Sequence, residues 1–192
     1  MADEGIFAKA RPMTNAAGPS GGFTQAPDLP ALGLRPLHAS DLAQIEKLDE
    51  RAFGPGRFAR TAYRLREGVG PDFALSFVAH VGTLLVGSNI MTRVKCGDVE
   101  MMLLGPLTVE PAFRSRGIGE ALAARSLEAA RAAGQKLVIL VGDEPYYGRL
   151  GFKRVPYGRL VLPGPVDPAR VLICELVEGA FEGVGGLVRK AV

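Results

Sequence analysis

Cysteine and histidine are scarce, two of each in 192 residues, and the cysteines show no metal-ligand spacing. This excludes a disulfide-built scaffold and gives no foothold to a structural metal module, so no metal is expected. Cys96 and Cys174 stand far apart in apolar, strand-like stretches and read as buried, reduced thiols. No apolar run approaches the roughly 18 residues of a membrane helix. The opening Ala2-Asp3-Glu4-Gly5 lacks the positive start and apolar block of an export signal, which makes the cytoplasm the expected compartment. Basic residues exceed acidic ones by only three, without a long basic run, which argues against a dedicated nucleic-acid binder. It leaves room for a polyanionic small ligand. A Gly-Lys pair followed by Ser or Thr is absent, so there is no Walker loop.

What is present is a globular composition, 47% hydrophobic and 22% charged, at a length that fits one domain with a real core. Residues 1–33 are rich in Gly, Pro, Ala, Ser and Asn, lack periodicity, and read as a flexible arm; Met13 is an alternative first residue. The folded domain is expected over 34–192, opening with a strand at Leu34 to Leu37. Ser40 is placed to cap a helix whose Leu42, Ile45, Leu48 and Ala52 recur at helical spacing, ended by Gly54-Pro55-Gly56. A second helix is expected over Phe58 to Glu67. Phe73, Leu75, Phe77, Ala79 and Val81 alternate as a half-buried strand, followed by strands at Leu84 to Cys96 and Val99 to Val109.

The order then changes. Gly117 to Ala133 is dense in helix formers and stops at Gly134, with Ile118, Leu122, Ala129 and Ala133 on one face and Leu127 directed away. Lys136 to Gly142 is a continuous apolar run, as a buried parallel strand requires. A short helix near Pro145 to Leu150 and strands near Phe152 to Val155 and Arg170 to Val177 complete an α/β pattern, one mixed sheet with helices on both sides.

The densest chemical signal is Leu103 to Leu122, LLGPLTVEPAFRSRGIGEAL. A strand ends at Val109, Arg114 and Arg116 follow on a loop, and Gly117 and Gly119 open a helix. Unpaired N–H groups and the positive dipole end at a helix start suit a phosphate-bearing ligand. Glycine lets that backbone approach closely, and the arginines add charge beside it.

Arg114-Ser115-Arg116-Gly117-Ile118-Gly119 resembles the Arg/Gln-x-x-Gly-x-Gly/Ala signature of the GNAT superfamily of N-acetyltransferases. The Leu107 to Pro111 lead-in and Tyr146-Tyr147-Gly148-Arg149-Leu150-Gly151-Phe152 are also similar to that family, in particular to its small bacterial YhbS-like members. The resemblance covers all but the arm. It implies a GNAT-type mixed, mostly antiparallel sheet with helices on both faces, whose fourth and fifth strands splay into a cleft. It also implies acetyl-CoA as cosubstrate. Leu107, Thr108 and Val109 would pair with the pantetheine arm, the Val109 N–H would face the thioester oxygen, and Arg114, Ser115, Arg116, Gly117, Ile118, Gly119 and Glu120 would surround the pyrophosphate. Tyr147 would occupy the general-acid position, since a phenol of pKa about 10 holds its proton at neutral pH.

The reaction implied is direct attack of a neutral amine on the thioester. The partners are then acetyl-CoA and an amine acceptor; no membrane is involved, and a homodimer stays open. Glu110, Asp143 and Glu144 are carboxylates near the motifs, none of them assigned as base, and neither His38 nor His80 takes a catalytic role. Arg51, Arg57, Arg60, Arg64 and Arg66 cluster where the acceptor would lie, reading first as a solvated helix face. A non-catalytic coenzyme A-binding regulatory module, and a relative acting on charged transfer RNA, are the competing readings.

Overall fold

The computed structural model describes residues 31–59 and 61–191. Its strands are β1 (Leu32–Pro36), β2 (Phe77–Val81), β3 (Leu84–Cys96), β4 (Val99–Val109), β5 (Leu137–Val141), β6 (Lys153–Arg154), β7 (Leu160–Val161), β8 (Val171–Glu175) and β9 (Gly186–Lys190). The helices are α1 (Leu42–Phe53), α2 (Thr61–Arg64), α3 (Ile118–Ala132) and α4 (Glu144–Tyr147). One path runs β1-β2-β3-β4-β5-β8-β6, while β9 pairs with β3 and with β7. Along that path β4–β5 is the parallel pairing and the rest is antiparallel, as the GNAT-type expectation requires.

The sheet separates two apolar layers. On one face α1 packs through Ile45 and Leu48 against Leu37, Val78, Leu85 and Ile90. Leu65 covers Val94, Met101, Leu103 and Ile139 on that same side. On the opposite face α3 packs through Ala123, Leu127 and Ala130 against Met91, Met102, Leu104 and Val138. Ile118 and Leu122 extend this layer over Phe77, Ala79 and Val86.

Several sequence boundaries move, each for a local reason. Strand β1 starts at Leu32, two residues inside the stretch assigned to the arm; residues 1–30 of that arm lie outside the described residues. The second helix contracts to the single turn of α2, preceded by a 3-10 turn at Pro55–Ala59. It is tied down instead of extended: the Thr61 hydroxyl donates to the Pro165 carbonyl and Arg64 Nη1 to the Pro163 carbonyl, 3.2 Å. Strand β2 begins only at Phe77, because Asp72 gathers the amides of Ala74 and Ser76 and the Ser76 hydroxyl into a turn. Leu127 is buried and Ala133 exposed, the reverse of the sequence reading. A sheet covers a broader stripe of helix than a single line of contacts, so Ile118, Leu122, Ala123, Ser126, Leu127 and Ala130 all face inward. Two-residue β7 and the C-terminal β9 carry too little periodicity to be read from sequence. No helix among the described residues is long and apolar enough to cross a membrane.

Candidate active site

The site grows from an interruption in β4. Opposite Ile90 the register slips, so that Leu104 faces Met91 and Leu107 faces Asn89 with Gly105 and Pro106 between them. Proline cannot donate to a ladder, and Gly105 adopts φ +115, open to glycine but strained for other residues. The extra residue resets the alternation of the strand, placing Leu104 and Leu107 on the same face although three positions apart. Pairing with β5 ends just before the slip, at Met102 with Val138 and Leu103 with Ile139. Beyond it β4 and β5 part.

Main-chain direction along the parted edge follows from one hydrogen bond. The Glu110 N–H donates to the Val86 carbonyl of β3, 2.8 Å. Successive residues of a strand point their amides to opposite sides, so Val109 and Leu107 direct theirs toward the gap. The Thr108 amide faces β3, and its side chain turns to the α1 face. There its hydroxyl donates to Asp49 Oδ1 at 2.5 Å.

A cavity of about 580 Å³ lies on the α3 side, lined by Val109, Phe113, Arg114, Ser115, Gly117 to Glu120, Tyr146 and Arg149. Ser115 (φ 61) and Gly117 (φ 76) both take left-handed conformations, which curl the loop into the start of α3. Gly117 caps the helix without a side-chain bond, leaving the first-turn N–H groups facing outward. A Cβ at Gly119 would stand 2.6 Å from the Tyr146 hydroxyl oxygen, so only glycine keeps this cradle clear. Arg114 Nε donates to the Val109 carbonyl at 3.3 Å, and Arg149 pairs with Glu120 at 3.5 Å. Arg116 does not line the cavity; its guanidinium stands over the Phe113 ring, 5.3 Å from the centroid. The cradle fits a diphosphate: open amides, a positive helix end and arginines at its rim.

A second cavity of about 910 Å³ opens on the α1 side, bounded by α1, α2, the Gly105–Leu107 break, the end of β5 and Tyr147. Two charged groups sit deep in it. Burial raises the Asp49 carboxyl above its ordinary range, against the Thr108 hydrogen bond and the field of Arg66. Burial lowers Arg66 to about 10, opposed by the charge of Asp49, so the guanidinium remains a cation at neutral pH. Its Nε is enclosed without any hydrogen-bond acceptor. A Cβ at Gly105 would lie 3.1 Å from Arg66 Nη2, so the missing side chain at the break makes room for this group.

Tyr147 lines this second cavity and touches the lining of the first through Tyr146. Its ring packs edge-on against Tyr146 (4.8 Å between centroids) and Phe152 (5.8 Å), and its Cδ2 lies 2.8 Å from where a Gly142 Cβ would be. Burial, then Tyr146 and Asp143, push its phenol up to about 12. The tyrosines divide the gap: Tyr146 lines the α3-side cavity and Tyr147 the α1-side one.

The other sequence candidates disperse. Glu110 pairs with Arg51 at 2.7 Å, Asp143 with Arg170 at 3.1 Å and Glu144 with Arg154 at 2.6 Å, all through exposed arginines. Among the clustered arginines only Arg57 and Arg66 line the larger cavity; Arg64 joins the C-terminal loop, and Arg60 lies outside the described residues. His80 lies beside Arg35, 3.5 Å away, far from the motifs, and burial lowers its pKa. Asp49 is the residue the sequence did not single out, and Arg66, read there only as one of a cluster on a solvated helix face, is instead enclosed. Asp49 follows Ile45 by four positions, on the apolar face of α1, and a carboxylate on such a face is a readable signal. Nothing local set Arg66 apart from the other arginines of its cluster, because its enclosure depends on Gly105, 39 positions away.

A family model described as an acetyltransferase (GNAT) domain matches residues 33–155. The chain is 32% identical over 118 residues to the "Uncharacterized N-acetyltransferase YjhQ" of Escherichia coli K12, covering 59% of this chain and 65% of YjhQ, just under two thirds of that protein. It is 28% identical over 149 residues to YhbS of the same strain, covering 77% of this chain and 89% of YhbS. The crystal structure of E. coli YhbS in complex with CoA superposes with a TM-score of 0.72 over 86% of this chain and 92% of that one; at 24% identity the likeness speaks for the fold. A GNAT family acetyltransferase from Brucella melitensis, in complex with acetyl-CoA, is 28% identical with a TM-score of 0.56, covering 79% and 99%.

Proposed function

The chain belongs to the acetyltransferase (GNAT) domain family, and on that footing we propose that it transfers the acetyl group of acetyl-CoA to an amine by direct attack with both substrates bound. The observation that carries this reading is the parted edge of β4 and β5 with a chemically different cavity on either side, the two linings touching through Tyr146 and Tyr147. The α3 side holds the diphosphate on the first-turn amides around Gly117 to Glu120, with Arg114 beside them. The edge of β4 from Leu107 to Val109 receives the pantetheine arm as a further strand, leading the thioester through the gap. The acceptor amine comes from the α1 side.

Each residue then has a defined task. The Val109 N–H donates to the acyl oxygen as negative charge builds there. Tyr147 keeps its proton, its phenol standing near 12, and donates a hydrogen bond to the departing sulfur. The ammonium must lose a proton before attack. Asp49 is the carboxylate placed for this, raised by burial and held through one oxygen by Thr108.

The test is release of free thiol from acetyl-CoA across a panel of amines, beside calorimetry with acetyl-CoA alone. Saturable heat and amine-dependent thiol release are the expected results. Heat without turnover for any amine would leave a coenzyme-binding module, and no heat would remove the reading altogether.

A further inference from the structure

Arg66 is a cation without a counter-ion in contact. Its side chain lies deep in the α1-side cavity, its Nε has no acceptor, and no carboxylate among the described residues forms an ion pair with it. Asp49 influences it through space, yet its carboxylate is engaged by the Thr108 hydroxyl. Burying a guanidinium unpaired is costly, and such a group is retained most readily where a bound molecule completes it. Gly105 leaves space for this guanidinium at the break in β4, so the positive charge stands beside the parted edge.

The rest of the lining narrows the class of molecule. Glu46, Asp49, Glu67, Asp143 and Asp167 outnumber the cavity's arginines Arg57, Arg66 and Arg170; Asp143 and Arg170 pair with each other, and Glu67 pairs with Lys190 outside the lining. A net-acidic cavity repels a polyanion such as a phosphate ester and admits an ammonium. A single buried guanidinium within it suits one monovalent, planar anion, which its fork can grip at two points.

Resting on the reading of this cavity as the acceptor side, we propose that the acceptor is a small amino carboxylate whose carboxylate is received by Arg66 while its amine lies against Asp49. Arg66 lies within electrostatic reach of both Asp49 and Tyr147, and this proximity calls for an amine within a few bonds of the carboxylate, as in an α- or β-amino acid. A peptide N-terminus, whose carboxylate has become an amide, lacks the group that Arg66 would hold.

The experiment compares matched pairs, each amino acid against the amine left by removing its carboxylate, for example phenylalanine with phenethylamine and leucine with isopentylamine. Binding is measured by calorimetry on the full chain saturated with CoA, and turnover by thiol release from acetyl-CoA. For at least one pair the carboxylate should improve binding and kcat/KM by about 10- to 100-fold, the worth of a hydrogen bond to a charged group. Arg66→Met should erase that margin while leaving the heat of CoA binding in place, and Arg66→Lys should keep part of it. If Arg66→Met does not fold, the wild-type margin and Arg66→Lys decide. Equal behaviour of acid and amine in every pair, or a margin that survives Arg66→Met, overturns the proposal, as does failure of every amino carboxylate to bind. In those cases intact CoA binding leaves the acetyltransferase reading standing, whereas absent CoA binding removes both.

Discussion

Replacing Tyr147 with phenylalanine isolates one hydroxyl. Its ring contacts with Tyr146 and Phe152 are made through carbon, and the hydroxyl forms no hydrogen bond among the described residues. Tyr147→Phe should therefore melt close to the wild type and bind acetyl-CoA with unchanged heat. The rate should behave otherwise. Full transfer of a proton from a phenol at about 12 to a thiolate of ordinary pKa near 8.5 is uphill by about 5 kcal/mol. The burial that raises the phenol also raises the sulfur and narrows this gap. The hydroxyl then acts mainly as a hydrogen-bond donor that strengthens as the sulfur gains charge. Loss of such a donor places the expected fall in kcat near the lower end of acid catalysis, about 10²-fold, or roughly 2.7 kcal/mol. The assay is steady-state thiol release at saturating acetyl-CoA, followed from pH 6 to 10. Because the protonated phenol is the working form and persists until about pH 12, the wild type should show no descending limb from Tyr147 in that range. An unchanged kcat in Tyr147→Phe would refute the assignment. An equal loss of rate and coenzyme affinity would mean that the hydroxyl only builds the wall.

Gly119→Ala places a methyl group in the diphosphate cradle, with the flexible end of Tyr146 as its first neighbour. The melting temperature should hold or rise slightly, since alanine favours helix by about 1 kcal/mol, while calorimetry should show acetyl-CoA binding weakened at least about tenfold, the loss of one charge-assisted bond or more. Thr108→Val removes the hydrogen bond that lowers the Asp49 pKa against burial. With Asp49 working in its ionised form, the acidic limb of kcat/KM should move to higher pH, and a limb that stays in place would exclude Asp49 as the base. Asp41 should contribute to acid stability. Arg35 grips both its oxygens at 2.7 Å and holds its carboxyl at about 2, below the ordinary 3.8. Folding thus keeps the ionised form, a stabilisation complete above pH 5 and lost as the pH falls through about 2. Discounted for the exposed guanidinium of Arg35, Asp41→Asn should cost about 1 kcal/mol at pH 7 and almost nothing near pH 2, read from urea midpoints.

Much of the site was legible because its parts are local. A strand, a Pro-containing break, a loop with arginines and a glycine-opened helix follow one another between Leu103 and Leu122, and short-range chemistry fixes the local shape of each. The meander boundaries at Leu84, Cys96, Val99 and Val109 were read from alternation and turn glycines, and the structure gives the same limits. Where local signals were weak or outvoted, the reading failed. Asp72 drew Phe73 and Leu75 into a turn, and the ties from Thr61 and Arg64 to the C-terminal loop cut the second helix short.

By itself, then, the sequence determined the α3-side cradle of this protein, since amides at a helix start and glycines beside them depend on neighbours a few positions away. The α1-side cavity was decided only by the tertiary structure. Asp49 of α1, Arg66 of the turn after α2, Gly105 of β4 and Tyr147 of α4 line one cavity. Their charges acquire meaning from a burial that no local pattern encodes, because the low-dielectric surroundings that raise Asp49, lower Arg66 and hold the Tyr147 proton exist only once the sheet has brought those elements together.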